Sequence, residues 1–115
     1  MLARERRLRA GRDWDALFRG GFGVGGPLLS LRVLATPGRR RAGVSVGKKV
    51  GGAVTRNLVK RRIRALLLEV WDQLPQADIG VLVRAPAAAA EFADLQSALS
   101  ELAGRAAGKI EGGGR

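Results

Sequence analysis

Apolar positions recur at helical spacing in the middle of the chain. On a helix of 3.6 residues per turn, apolar side chains there fall on one face and polar side chains on the adjoining face. The apolar stripe consists of Val59, Ile63, Leu66, Leu67 and Val70. The adjoining face consists of Arg56, Asn57, Lys60, Arg61 and Arg64. The pattern predicts a helix that begins near residues 52–55 and ends before Pro75, with one face packed and the other in solvent.

A shorter helix is predicted on either side of this one. The first follows Asp13, whose carboxylate can accept hydrogen bonds from the free amide groups of a helix start. It places Trp14, Leu17 and Phe18 on one face. The last helix is predicted over about 91–103, where an acidic first residue suits the positive N-terminal end. Its apolar positions are Phe92, Leu95, Leu99 and Leu102.

Strand patterns lie between these helices. The segments 28–35 and 42–46 are separated by a Pro-Gly turn and three arginines, which predicts an antiparallel hairpin. The glycine-rich segment 20–27 can hold a turn or a short irregular strand. The segment 77–84 has the composition of a mostly buried strand. The order of elements predicts one α/β sandwich domain in which the central helix crosses between strands.

Charge gives the first indication of function. The net charge is +11 at pH 7, and the segment 16–68 contains no Asp or Glu. Solubilising surfaces mix charges of both signs, so a long block of one sign indicates a polyanionic partner. Nucleic acid is the first hypothesis. A membrane surface ranks well below it, because membrane-surface helices present Trp, Phe and Leu opposite the charge without a sheet beneath.

The side chains available for catalysis are few. The chain has no His, Cys or Tyr, which removes the commonest proton shuttle and the best nucleophile. Asp13 and Asp15 are two residues apart on a helix and so face different ways, which makes a poor metal or acid/base pair. Gly47 and Gly52 have the spacing of a phosphate-binding loop but lack the Lys and Ser/Thr that must follow. We predict no catalytic and no metal-binding residue.

Location is predicted from what the sequence lacks. Without Cys there is neither a disulfide framework nor a thiolate metal site. No apolar stretch approaches the roughly 20 residues of a membrane span, and the basic first residues lack the apolar run of a secretory signal. We therefore expect a cytoplasmic protein.

Three aromatic residues are candidates for contact with bases. Trp14, Phe18 and Phe22 could each stack on an unpaired base, which contributes about 1–3 kcal/mol where it occurs. Aromatic residues at helical spacing are more often core, and for Trp14 the core interpretation leads. For Phe18 and Phe22 the two interpretations are equal, because the neighbouring glycines leave a backbone that a ligand strand could approach.

The central basic segment resembles the signature of the bacterial ribonuclease P protein subunit. The matching residues are Lys48-Lys49-Val50-Gly51, Ala53-Val54, Arg56-Asn57, Lys60-Arg61 and Ile63-Arg64. The resemblance extends over roughly residues 8–104, so a flexible basic arm and a flexible glycine-rich tail are expected outside that core. It implies an α+β two-layer sandwich of order αβββαβα, similar to a ribosomal protein domain, with a left-handed βαβ crossover at the basic helix.

The resemblance also implies a function. A protein of this family assists a catalytic RNA, with its bound magnesium ions, in removing the 5′ leader from precursor tRNA. The implied partners are ribonuclease P RNA and precursor tRNA, with no protein partner required and no cofactor bound by the protein. The implied RNA contacts are Lys48, Lys49, Arg56, Asn57, Lys60, Arg61 and Arg64. The implied leader cleft contains Phe18, Trp14, Phe22 and Arg32.

Three positions depart from the family pattern. Arg32 stands where a cleft tyrosine is common, Gly47 stands where a serine is common, and Gly52 replaces a frequent asparagine. Two other classes also stay open. A small basic ribosomal protein would leave precursor-tRNA cleavage unaffected, and a DNA-compacting protein would prefer duplex DNA over structured RNA.

Overall fold

The computed structural model, which describes residues 3–113, contains one four-stranded sheet and three α-helices over that range. The helices are α1 (Arg12–Gly20), α2 (Ala53–Glu69) and α3 (Phe92–Gly113). The strands are β1 (Phe22–Gly25), β2 (Leu29–Ala35), β3 (Arg41–Val46) and β4 (Ala77–Val83). The predicted α+β sandwich and its order αβββαβα are confirmed. The outermost residues of the predicted arm and tail, 1–2 and 114–115, lie outside the described range.

The strands are arranged in the order β1-β2-β4-β3. The last strand along the chain, β4, therefore lies between β2, which is antiparallel to it, and β3, which is parallel to it. The predicted hairpin between β2 and β3 is wrong. The link between them crosses the start of β4 instead, where the Thr36 amide donates to the Gln76 carbonyl at 3.1 Å. The Gly38 amide donates to Gln76 Oε1 at 2.8 Å.

The core lies between the sheet and the pair α2 and α3. The predicted apolar stripe of α2 is buried along its whole length. It packs on alternate residues of the strands, among them Leu31, Val33, Ile79 and Val81. β3, α2 and β4 form a parallel crossover, as the sequence predicts.

The last helix is longer than predicted. α3 continues past residue 103 to Gly113. The glycines that suggested a frayed tail are Gly104, Gly108 and Gly112, which recur every fourth residue with open space beside each Cα. The buried face of the same turns carries Ala103 and Ala106. Phe92, predicted to belong to the apolar stripe, is 40% exposed.

α1 lies on the opposite face of the sheet. Residues that alternate with the core positions point to this face, and two of them are Gly43 and Gly80. A Cβ on Gly80 would lie 2.5 Å from Trp14 Cζ3, and one on Gly43 would lie 3.0 Å from Trp14 Cζ2. The indole of Trp14 therefore rests on two glycine positions, and a side chain at Gly80 would force it to move. Leu17, one turn later, is fully buried against the sheet.

Buried ion pairs fasten the start of α1 to the sheet. Arg41 donates to both carboxylate oxygens of Asp78, at 3.0 and 2.8 Å, and to Asp13 Oδ2 at 3.1 Å. The same Asp13 oxygen accepts the Arg9 backbone N–H at 2.6 Å. The prediction that Asp13 caps α1 is therefore wrong. Its carboxylate instead joins Arg9, α1 and β3. Burial alone would raise the pKa of Asp13, but the Arg9 N–H and the Arg41 guanidinium outweigh it and lower that pKa.

The basic arm covers the outer edge of β3. Arg7 forms a parallel bridge with Ala42, and the Leu8 amide donates to the Ala42 carbonyl at 3.0 Å. The guanidinium carbon of Arg6 lies 5.2 Å from the ring centre of Trp71, which is a cation–π contact. The backbone pairing of Arg7 and Leu8 with Ala42 satisfies part of a sheet edge that would otherwise present unpaired backbone groups.

We predict that Gly80→Ala destabilises the protein by about 1–3 kcal/mol, since the added methyl group forces Trp14 away from the sheet. Thermal unfolding measures the effect. Gly104→Ala is the matched control: the same methyl group enters open space on a helix, so stability should rise by roughly 0.5–1 kcal/mol. A Gly80→Ala variant as stable as the parent protein would contradict the close contact between α1 and the sheet.

We also predict an acid-sensitive contribution from Asp13. Because its pKa is lower in the folded chain than in the unfolded chain, the carboxylate stabilises the fold above the unfolded pKa of about 3.9. That stabilisation is lost as the pH falls through the folded value. Asp13→Asn should cost on the order of 2 kcal/mol at pH 7, and this difference should shrink below about pH 4.

The measurement is the free energy of unfolding of both proteins between pH 7 and pH 2. Asp15→Asn removes the same charge from the exposed side of α1, where it forms no ion pair within the described range, and it serves as the control. A difference between the Asp13→Asn variant and the parent that stays constant down to pH 2 would exclude this role of Asp13.

Candidate nucleic-acid interface

The cations of α2 and its preceding turn are available to an external anion. Lys48, Lys49, Asn57, Arg61 and Arg64 are exposed, whereas Arg56 and Lys60 are half-buried. Within residues 3–113, none of these seven side chains forms an ion pair or donates a hydrogen bond to another residue. The one acid of α2, Glu69, is its last residue. The structure therefore places the predicted contacts together as an uncompensated positive surface.

The start of α2 adds to this surface. The turn Lys48–Val50 precedes it, and Gly51 then adopts a φ of 154°, a conformation that favours glycine. No side chain caps the first amide groups of α2, and its first turn contains no acid. Free N–H groups and the positive end of the helix dipole both attract phosphate.

Arg56 carries an additional sign of a missing partner. Its Nε atom is buried and finds no hydrogen-bond acceptor among the described residues. A buried donor left unpaired costs free energy, so this side chain is not placed here to stabilise the fold.

A groove lined by residues of α1, α2 and the basic arm runs along β3. One part is a cavity of about 200 Å³ whose lining includes Arg7, Trp14 and Arg64. The next part, of about 290 Å³, is lined by Trp14, Ser45 and Lys60 among others. Arg7 was not predicted from the sequence as a site residue, because no local pattern shows that the arm pairs with β3. The groove brings aromatic and cationic groups together.

Two of the predicted cleft aromatics lie side by side on α1. The ring centres of Trp14 and Phe18 are 6.4 Å apart with an interplanar angle of 28°. Trp14 is half-buried on the glycine positions of the sheet, whereas Phe18 is 53% exposed. The core interpretation thus suits Trp14, and Phe18 presents a ring to solvent that a base could stack on.

The other two predicted cleft residues lie elsewhere or act differently. Phe22 pairs with Val33 and packs against the core on the α3 side, with Lys109 Nζ 5.4 Å from its ring centre. The structure therefore does not bring Phe22 to the α1 face. Arg32 does face α1, but its guanidinium donates to backbone carbonyls at the end of that helix.

The residues do not suit a protein-held metal ion or a membrane span. Over the described range, no group of three His, Cys, Asp or Glu side chains is close enough to hold a metal. Each helix of the same range is too short or too polar to cross a membrane. Among the described acids, Asp13 and Asp78 are committed to arginine.

Comparison with known proteins identifies the family. The family model for ribonuclease P matches residues 2–107. The ribonuclease P protein component of Shouchella clausii is 36% identical over 104 residues, which cover 88% of this chain and 85% of that relative. A ribonuclease P protein component of Streptococcus pyogenes is 35% identical over 94 residues, which cover 81% of this chain and 79% of the relative.

Solved structures agree. The RNase P protein from Thermotoga maritima superposes with a TM-score of 0.79 at 26% identity, covering 86% of this chain and 96% of that one. The Staphylococcus aureus RNase P protein gives a TM-score of 0.77 at 27% identity, covering 84% and 91%. The matched range includes the basic arm, the whole sheet and the uncompensated cations of α2, so the chain belongs to the bacterial ribonuclease P protein component family.

Proposed function

We propose that this chain is the protein subunit of a ribonuclease P that removes the 5′ leader from precursor tRNA. The turn before α2 and the cationic face of α2 bind the catalytic RNA. The exposed side of α1 contacts the single-stranded leader. The observation that carries the proposal is the set of seven polar and cationic side chains on and before α2 that have no partner within residues 3–113. Two of them, Lys60 and Arg64, line the same groove as Trp14. A cytoplasmic location goes with this role.

The protein's contribution in this proposal is electrostatic and positional. Phosphates of the catalytic RNA and of the leader repel each other when they are brought close, and cations between them lower that cost. The arrangement supplies such cations on α2 and an aromatic surface on α1, and Trp14 lines the same groove as Lys60 and Arg64. Substrate affinity rises as a result, and less magnesium is needed for RNA folding and cleavage.

The chemistry is assigned to the RNA subunit. Magnesium ions held by that RNA would supply the activated water and stabilise the leaving group. The described acids do not form a cluster that fits a magnesium site on this chain. We therefore assign no bond-making or bond-breaking step to a residue of the protein. Its residues bind, screen and orient the two RNAs.

The direct test is cleavage of precursor tRNA by a bacterial ribonuclease P RNA at low magnesium, with and without this protein. We expect a product with the mature 5′ end at appreciable rate only when the protein is present. If the protein binds the RNA but changes neither the rate nor the magnesium requirement, it is better described as a general RNA-binding or ribosomal protein. Preference for duplex DNA in competition would indicate the DNA-compacting class.

A second prediction concerns the cations of α2. Arg56→Ala combined with Lys60→Ala should flatten the dependence of RNA affinity on salt, by about 0.7–0.9 log units per log unit of salt for each phosphate that is no longer neutralised. Affinity is measured between roughly 50 and 200 mM salt. Neither side chain has a partner within residues 3–113, so thermal stability should change little.

The matched control removes two positive charges from α3. Arg105 donates to the Gly25 carbonyl and Lys109 lies over Phe22, both at the β1 side of the sheet. Arg105→Ala combined with Lys109→Ala should leave the salt slope unchanged. An equal reduction of slope in both double variants would mean that overall charge, and not the α2 surface, determines binding.

A further inference from the structure

Arg32 extends from β2 toward the C-terminal end of α1. In the sheet it lies opposite Gly23 on one side and Gly80 on the other, so neither cross-strand partner carries a side chain beside it. Its Nε atom donates to the Leu17 carbonyl at 3.0 Å. Its Nη2 atom donates to the carbonyls of Phe18, at 3.1 Å, and Gly21, at 2.8 Å.

These three bonds close the end of α1. The last carbonyls of a helix have no partner within the helix and carry its partial negative charge. Of the carbonyls that Arg32 reaches, that of Leu17 also accepts the Gly21 N–H at 3.0 Å. A planar guanidinium can reach several of them at fixed angles, which a tyrosine hydroxyl with a single O–H donor cannot do. The fit between α1 and β2 is also tight here, because a Cβ on Gly21 would lie 2.6 Å from the carbonyl oxygens of both Leu17 and Val33.

The same guanidinium supports the exposed aromatic ring. The guanidinium carbon of Arg32 lies 6.0 Å from the ring centre of Phe18, and the ring centre of Trp14 lies 6.4 Å from it. Arg32 thus contacts both the backbone carbonyl of Phe18 and its ring.

We infer that Arg32 is a positioning residue, not an RNA contact: it fixes the last turn of α1 so that Phe18 is held ready to stack on a base of the single-stranded leader. The inference rests on the proposed function and assigns a specific role to one residue of the leader site.

The competing role is a direct ion pair between Arg32 and a leader phosphate. Within the described chain, Nη1 of Arg32 donates no hydrogen bond and lies beside Gly23. The two roles differ in three measurable ways: coupling to Phe18, rescue by lysine, and the salt dependence of leader binding.

The experiment uses the holoenzyme reconstituted with ribonuclease P RNA. It measures the affinity for precursor tRNA with a leader relative to the same tRNA without one, a ratio we call the leader preference. The variants are Arg32→Met, Arg32→Lys, Phe18→Ala and the double variant of Arg32→Met with Phe18→Ala. Thermal unfolding and affinity for the RNA subunit are measured for each variant.

We expect Phe18→Ala to lower the leader preference by roughly 5- to 100-fold, the range that corresponds to loss of one base stack. Arg32→Met should lower it by about three- to tenfold, and the double variant should be no worse than Phe18→Ala alone. Arg32→Lys keeps the charge but cannot span three carbonyls, so it should restore only part of the preference. The salt slope of Arg32→Met should equal that of the parent.

Arg40→Met is the matched control. Arg40 is also half-buried and donates one hydrogen bond, at 3.0 Å, to the Leu74 carbonyl, away from α1. This variant loses the same charge and a guanidinium–carbonyl bond, and its leader preference should equal that of the parent. Equal losses in the Arg32→Met and Arg40→Met variants would overturn the inference, since both would then reflect charge alone.

Other outcomes also overturn the inference that Arg32 positions Phe18. Additive losses in the double variant, full rescue by lysine, or a salt slope lower by about 0.7 would show a direct phosphate contact. Loss of RNA-subunit affinity in parallel with stability would show a purely structural role. If the parent holoenzyme stimulates cleavage but Arg32→Met keeps the full leader preference, this inference alone fails. If the parent shows no leader preference, the leader part of the proposed function fails with it.

Discussion

The ion pairs of Arg41 hold together parts of the chain that are far apart in sequence. One guanidinium joins Asp13 at the start of α1 to Asp78 in the central strand, and Asp13 in turn holds the Arg9 amide of the arm. Buried charges are tolerated only when they are paired and hydrogen-bonded, so each partner fixes the others. The position of α1 over the sheet, and therefore of both aromatic rings, depends on this arrangement. α1 is held by arginines at both ends, Arg41 at its start and Arg32 at its last carbonyls.

The arginines between residues 32 and 64 fall into two groups with different chemistry. Those of β2, β3 and the link between them are half-buried or donate to acids and carbonyls of the same chain, as Arg32, Arg40 and Arg41 do. Those of α2 have no such partners within residues 3–113. The sequence shows one continuous basic block, but in the fold one part of it forms contacts within the chain and the other part stays without partners over the described range. Net charge alone does not distinguish these groups.

Local sequence patterns predicted the helices and strands. They did not predict the strand order or the contacts of Arg32, because these depend on residues far apart in the sequence. The stripe from Val59 to Val70 is correct because helical periodicity is a local property. The hairpin is wrong because β4, some forty residues later, takes the place beside β2. The role of Arg32 likewise depends on α1 and β2 meeting across the sheet. The RNA contacts on α2 come from the resemblance to the family and remain predictions, although their lack of partners in the described chain agrees with them.

The glycines of α3 affect how readily its C-terminal half opens locally. Gly104, Gly108 and Gly112 each lower helix propensity by about 1 kcal/mol relative to alanine, and open space beside each of them means that no packing offsets this cost. The buried Ala103 and Ala106 add little apolar area on the other face. We therefore expect these turns to open locally at a lower free energy than β4 or α2, and their amide hydrogens to exchange with solvent first.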